Sequence, residues 1–120
     1  MSEILLVMTS LPDAASAGEL ARQLIEAKAA ACVSQLAPSV STYCWQDKIE
    51  TVSEVPLLIK TTKAAYPRLE ALIRAVHPYE LPEIIAVPVT AGLPAYLEWV
   101  GRESQLNNAN SHSEPLISRE

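Results

Sequence analysis

Phenylalanine is absent from this 120-residue chain, and glycine, cysteine and histidine are scarce, with three, two and two copies. Without Phe, and with aromatics at 5%, the core has to be aliphatic. Three glycines leave no glycine-rich loop to cradle a phosphate. Cys32 and Cys44 form no Cys-x-x-Cys pair, and the histidines are isolated at His77 and His112, so no tight single-chain metal motif is written here. Neither a Gly-x-Ser-x-Gly elbow nor a recognisable Cys-His spacing occurs, and the expectation is that the protein is not an enzyme. No apolar run approaches the length of a membrane span, and the first residues have no basic n-region and too short an apolar run for a signal peptide. The expected location is the cytoplasm.

Positive charge is the other shortage. Nine Lys and Arg stand against fourteen Asp and Glu, a net charge of −5, and the basic residues are dispersed. This argues against nucleic acid and against a membrane as partners, because both require a basic patch. Cys32 and Cys44 would lie about 40 Å apart on one continuous strand at ~3.3 Å per residue. An intrachain disulfide would require Pro38 to fold that strand back, so two free thiols in a reducing compartment are expected.

What is present is organised around Cys32 to Thr62, which reads as one very long antiparallel hairpin. The first arm, Ser39 to Trp45, is rich in β-branched and aromatic residues. Gln46-Asp47-Lys48 forms a polar joint, and the second arm runs from Ile49 to Thr61. Its odd positions, Ile49, Val55, Leu57, Ile59 and Thr61, alternate with Glu50, Glu54 and Lys60, sending two sets to opposite faces. Pro38 and Pro56 mark bends or edge positions in the two arms. So long a hairpin outruns the helices of a short chain, and the simplest cover for the excess is another copy of itself.

Either side of the hairpin the period changes. Ile4 to Thr9 is a short apolar strand, and Asp13 is an N-cap for a helix through Ala17, Leu20, Ala21, Leu24 and Ile25, fading near Lys28. Leu69, Leu72, Ile73 and Val76 follow helical spacing, with Pro67 near the start and Pro78 pushing His77 out of the helix. Glu83 to Val89 reads as a second continuous apolar strand, ending around Pro88. Leu93 to Val100 reads as a last helix with Gly101 at its C-cap. The order β-α-β-β-α-β plus a terminal helix is the ferredoxin-like α+β pattern, with both main helices on one face of an antiparallel sheet and the other face bare. Residues 1–102 form this domain, and 103–120 are a polar, mobile tail.

Chemistry concentrates in His77-Pro78-Tyr79-Glu80-Leu81-Pro82-Glu83, a loop stiffened by two prolines. It is either a functional loop or a rigid connector with solvated charges. Glu54 and Lys60 on one face of the second arm would line a polar cleft, unless they are simply solvated. Tyr43 and Trp45 share a face of the first arm, where they would stack on a ligand or cover an interface.

These stretches resemble the CutA divalent-cation tolerance family. The likeness rests on Ala31-Cys32-Val33, Tyr43-x-Trp45-x-x-Lys48-Ile49-Glu50 and Glu54-x-x-Leu57-x-Ile59-Lys60-Thr61-Thr62. It continues through His77-Pro78-Tyr79-Glu80-x-Pro82-Glu83-Ile84-Ile85 and Tyr96-Leu97-x-Trp99, covering Ile4 to Arg102. The resemblance implies a ferredoxin-like homotrimer whose hairpins pair between subunits, similar to PII signalling proteins. It also implies a link to divalent metal ions, copper above all. Family members with a copper site carry Cys where this chain has Met8, and two His where it has Val76 and His77, so the implied ligands are His77 and Met8. The alternative is a PII-like module taking a small anionic ligand or a protein partner in an intersubunit cleft lined by Tyr43, Trp45, Glu54, Lys60, Tyr79 and Glu83. A third reading makes His77, Glu83 and Lys60 the acid, base and charge stabiliser of a cleft enzyme.

Overall fold

Alternation along the second hairpin arm sets the sheet. In a computed structural model that describes residues 3–106, this arm is a fifteen-residue strand, Lys48–Thr62. Numbered in chain order it is β4, following β1 (Ile4–Leu11), α1 (Ala14–Glu26), β2 (Cys32–Gln35) and β3 (Ser39–Trp45). After it come α2 (Tyr66–Val76), β5 (Ile85–Pro88) and α3 (Pro94–Glu103). The inner half of β4 pairs antiparallel with β1, from Val55 opposite Leu11 to Thr62 opposite Ile4. On its other edge, Leu57 to Lys60 pair with β2, and its outer half pairs with β3 from Lys48 to Glu54. β5 closes the far side against β1, giving the sheet order β2-β4-β1-β5, with β3 on the projecting extension of β4. This is the ferredoxin-like arrangement expected from the chain order.

The odd residues Val55, Leu57, Ile59 and Thr61 are buried. Val55, Leu57 and Ile59 pack with Val7, Leu11, Leu20, Leu24, Leu69 and Ile73 in one aliphatic core beneath α1 and α2. Near Pro38 the first arm breaks into β2 and β3, and Leu36 N–H donates to the carbonyl of Pro56 at 2.9 Å. Pro56 itself lies opposite Ser10 within the β1 ladder. The two prolines thus face the same bend, where the strands leave the main sheet.

Local signals fix the helix ends. Asp13 Oδ1 accepts from the Ser16 N–H at 2.8 Å, capping α1. The other end closes with Lys28 N–H to Ile25 O and Ala29 N–H to Leu24 O, a Schellman motif with Lys28 in the left-handed region at φ 54. In α2, Pro67 sits in the first turn, where its missing N–H costs nothing, and His77 caps the other end with ψ 134 because Pro78 follows. Arg68 ties the helix ends together, donating to Ala27 O, Lys28 O and Ser104 O at 3.4, 3.3 and 3.2 Å.

Three expectations are corrected. α3 runs on to Glu103 with Gly101 buried inside the helix. The Lys28–Glu103 ion pair at 3.2 Å and the Arg68 clasp hold that extra turn. β5 pairs only from Ile85, and its Ile85 and Val87 are exposed, because among the described residues no strand lies outside it. The face opposite α1 and α2 is not wholly bare. Cys32 shares that face with Lys60, its ladder partner, and Tyr96 of α3 lies beside Cys32, its phenol pKa raised by burial and then by the cysteine. Both cysteines are free. The expected tail falls mainly on 107–120, outside the described residues.

The hairpin stands out from the body. Its flank carries Val40 and Ile49, 70% and 82% exposed. The molecule measures 50 × 28 × 26 Å with a Cα radius of gyration of 15.3 Å, against about 13 Å for a compact domain of roughly 100 residues. At the tip, Gln46 and Asp47 have φ of 53 and 67 and connect the paired Trp45 and Lys48, a two-residue type I′ turn. Neither residue is the glycine such a turn favours. Asp47→Gly should therefore stabilise the protein by about 1 kcal/mol in thermal unfolding, and the β-branched Asp47→Val should destabilise it.

Candidate functional site

Pairing across the hairpin decides which side chains meet. Tyr43 lies opposite Glu50, Ser41 opposite Val52, and Trp45 opposite Lys48. Directly opposed residues share a face, so Trp45, Tyr43, Ser41 and Ser39 line up with Lys48, Glu50, Val52 and Glu54 on one side of the hairpin. The two-proline loop following His77 folds over the root of that face. Between them lies a cleft of about 710 Å³, whose loop wall is Pro78, Tyr79, Glu80, Leu81 and Glu83.

Five of the six residues expected to line a cleft are there: Tyr43, Trp45, Glu54, Tyr79 and Glu83. Lys60 is not. It shares a strand and a face with Glu54, but six residues of β4 separate them by about 20 Å. Its Nζ donates to Ser34 Oγ at 3.2 Å on the main sheet. That removes the cation an anionic ligand would need, and no Lys, Arg or His is among the described residues lining the cleft. It also separates the charge stabiliser from the carboxylates in the cleft-enzyme reading. Glu50 and Glu80, which also line the cleft, were not singled out from the sequence. Glu50 was legible, since it falls in the even set with Glu54.

Glu54 departs from its expected solvated role. It is 8% exposed, with the Tyr79 phenol beside its carboxylate. Burial of the phenol, and then its interaction with the Glu54 carboxylate, push the Tyr79 pKa from the ordinary 10.0 up to about 12. The buried acid and the loop tyrosine thus meet at the hairpin root.

His77 lies behind this pair. It is 8% exposed, with Nε2 2.8 Å from Ser10 O and Nδ1 3.1 Å from the Tyr79 N–H. Because Nδ1 accepts, Nε2 carries the proton and donates to Ser10 O. The imidazole also packs on the Tyr79 ring, with centroids 4.8 Å apart. The single lone pair that a metal could use is therefore already engaged. Met8 sits in the middle of β1, paired with Leu58 and Ile85. Among the described residues no three His, Cys, Asp or Glu side chains form a metal-holding group. As arranged, this donor set does not fit a copper site.

Fold and cleft together define a small ferredoxin-like α+β protein with an open acidic cleft at the root of a projecting hairpin. The chain belongs to the CutA1 divalent ion tolerance protein family, which residues 5–103 match. It is 38% identical over 100 residues to the divalent-cation tolerance protein CutA of Thermus thermophilus, covering 83% of this chain and 95% of that one. It is 46% identical over 89 residues to mouse Protein CutA, covering 74% of this chain but only 50% of the mouse protein. The chain thus spans about half the length of that relative. The structure of the periplasmic divalent cation tolerance protein CutA from Archaeoglobus fulgidus superposes with a TM-score of 0.82 at 29% identity, over 85% of this chain and 99% of that one.

Burial of Tyr79 beside Glu54 gives a pH signature. Folding favours the protonated phenol, so its contribution is fully present below the ordinary pKa of 10.0 and is lost as pH rises through about 12. Tyr79→Phe should lower stability by about 1 kcal/mol at neutral pH and remove the highest step in the ultraviolet titration of the tyrosines. Glu54→Gln should move that step toward lower pH.

Proposed function

We propose that this chain is a non-catalytic divalent-cation tolerance protein that works as a homotrimer, with the acidic cleft as its cation-facing site. The observation that carries the reading is the cleft's one-sided charge. Glu50, Glu54, Glu80 and Glu83 line it, with no basic residue among its described lining. Such a surface concentrates cations and repels anions, which favours this reading over a PII-like module for an anionic ligand. On this reading His77 holds the loop in place rather than ligating copper, since its ring nitrogens serve Ser10 and Tyr79.

Assembly belongs to the same proposal. Val40 and Ile49 on the hairpin flank, and Ile85 and Val87 on the edge strand β5, are apolar and exposed in one subunit. Exposed strand edges of this kind pair with other strands, and copies of the same hairpin supply them. Cytoplasmic residence fits the free Cys32 and Cys44. Among the described residues no helix is long and apolar enough to cross a membrane.

Two measurements test the proposal. Light scattering at micromolar concentration should give three times the chain mass of 13.0 kDa, and a monomer would end the assembly reading. In calorimetric titrations with magnesium, zinc and copper, Glu54→Gln and Glu80→Gln should weaken uptake, while His77→Ala should lower the melting temperature and leave uptake unaltered. Loss of copper binding in His77→Ala alone would return the site to His77 and Met8.

A further inference from the structure

A second hollow, of about 350 Å³, opens where the N-terminus of α2 meets the end of α3. Thr62, Arg68, Ser104 and Gln105 are the polar residues of its described lining, and none of the lining is Asp or Glu. Ser104 is 3% exposed, yet its Oγ has no hydrogen-bond partner. A buried hydroxyl left in that state costs free energy. Arg68 Nη2 donates to the Ser104 carbonyl at 3.2 Å, which sets the guanidinium beside that hydroxyl. Its other acceptors, Ala27 O and Lys28 O, are carbonyls too, so no carboxylate meets its charge, and its Nε–H and one Nη1–H remain to be given. Glu103, next to Ser104 in the chain, is paired with Lys28. Thr62 Oγ1 accepts from the Ala65 N–H at 3.0 Å, so its own O–H is left to donate. α2 begins here with no side-chain cap and no acid in its first turn, which leaves the positive end of its dipole open. The carbonyl end of α3 borders the same hollow, and Arg68 covers its Ser104 oxygen.

We propose that this hollow binds a phosphate group. Arg68 meets its charge, the Ser104 and Thr62 hydroxyls donate to its oxygens, and the open end of α2 faces it. Several donors without an acid call for a ligand made of acceptors, and a tetrahedral oxyanion is one; a cation would meet only repulsion from Arg68. The volume falls inside the range of roughly 300–1,000 Å³ usual for small-molecule sites. It takes free phosphate or the monoester of a small alcohol, whose body would lie against Ala64 and Leu106. The hollow shares no lining residue with the acidic cleft, so the site stands apart from the cation-facing reading.

The test is titration of the full chain in its native assembly with inorganic phosphate and with methyl phosphate, at ionic strength held constant with sodium chloride. Calorimetry and the melting temperature are the two readouts. At least one of the anions should bind and raise the melting temperature. Tighter binding of methyl phosphate assigns the site to an ester, and tighter binding of inorganic phosphate assigns it to the free ion. Ser104→Ala should weaken the better ligand by about ten-fold, the effect of losing one hydrogen bond to a charged group. Without ligand the same variant should melt no lower than the parent, because the hydroxyl it removes has no partner. Arg68→Lys keeps the charge, gives up the fork, and should also weaken binding by about ten-fold. Binding of neither anion above the chloride background would overturn the inference. So would a Ser104→Ala variant that binds phosphate as tightly as the parent, whatever its melting temperature.

Discussion

Backbone pairing along β4 is the constraint on which the rest of the structure depends. One strand of fifteen residues serves three partners: β1 and β2 along its inner half and β3 along its outer half. The inner half is held by burial, because Val55, Leu57 and Ile59 sit in the core. The outer half has no such anchor in one subunit. Its register follows from continuity with the inner half and from the turn at Gln46 and Asp47, and a slip of one residue would send Glu54 to the other face. The cleft, the acid–tyrosine pair and the exposed flank all inherit that register.

Charge and packing are coupled at the hairpin root. Glu54 and Val55 are both buried, as happens where a strand leaves one sheet and is covered from both sides. Val55 faces the core, and Glu54 meets Tyr79. Pro78 shapes the loop that delivers Tyr79, and His77 pins its start to the end of β1 through Ser10.

Most of this architecture was legible in the sequence, because period is a strong signal wherever burial is one-sided. Alternation in β4, helical spacing at Leu69, Leu72, Ile73 and Val76, and the Asp13 cap all correspond to the observed elements. The co-facing of Tyr43 and Trp45 was readable for the same reason. Burial of Glu54 was not, since it depends on a loop twenty-five residues further on folding back over it. The separation of Lys60 from the cleft lay in distance along the strand, which a two-residue period does not encode. His77 has the residue type of a ligand, but its hydrogen bonds to Ser10 and Tyr79 exist only once β1 and the loop are side by side. The continuous apolar run at Ile84 to Val87 was readable as a strand, but the exposure of Ile85 and Val87 was not, since it depends on what lies beyond the sheet edge.

The proposed assembly makes one central claim, that copies of the chain cover the outer half of β4 and protect it from opening. Amide hydrogen exchange along β4 tests it most directly, because protection there needs either a core or a partner. The account predicts that amides from Lys48 to Ser53 exchange slowly in the native assembly, approaching those from Val55 to Thr62. Exchange near the unfolded rate from Lys48 to Ser53, beside full protection from Val55 to Thr62, would contradict it.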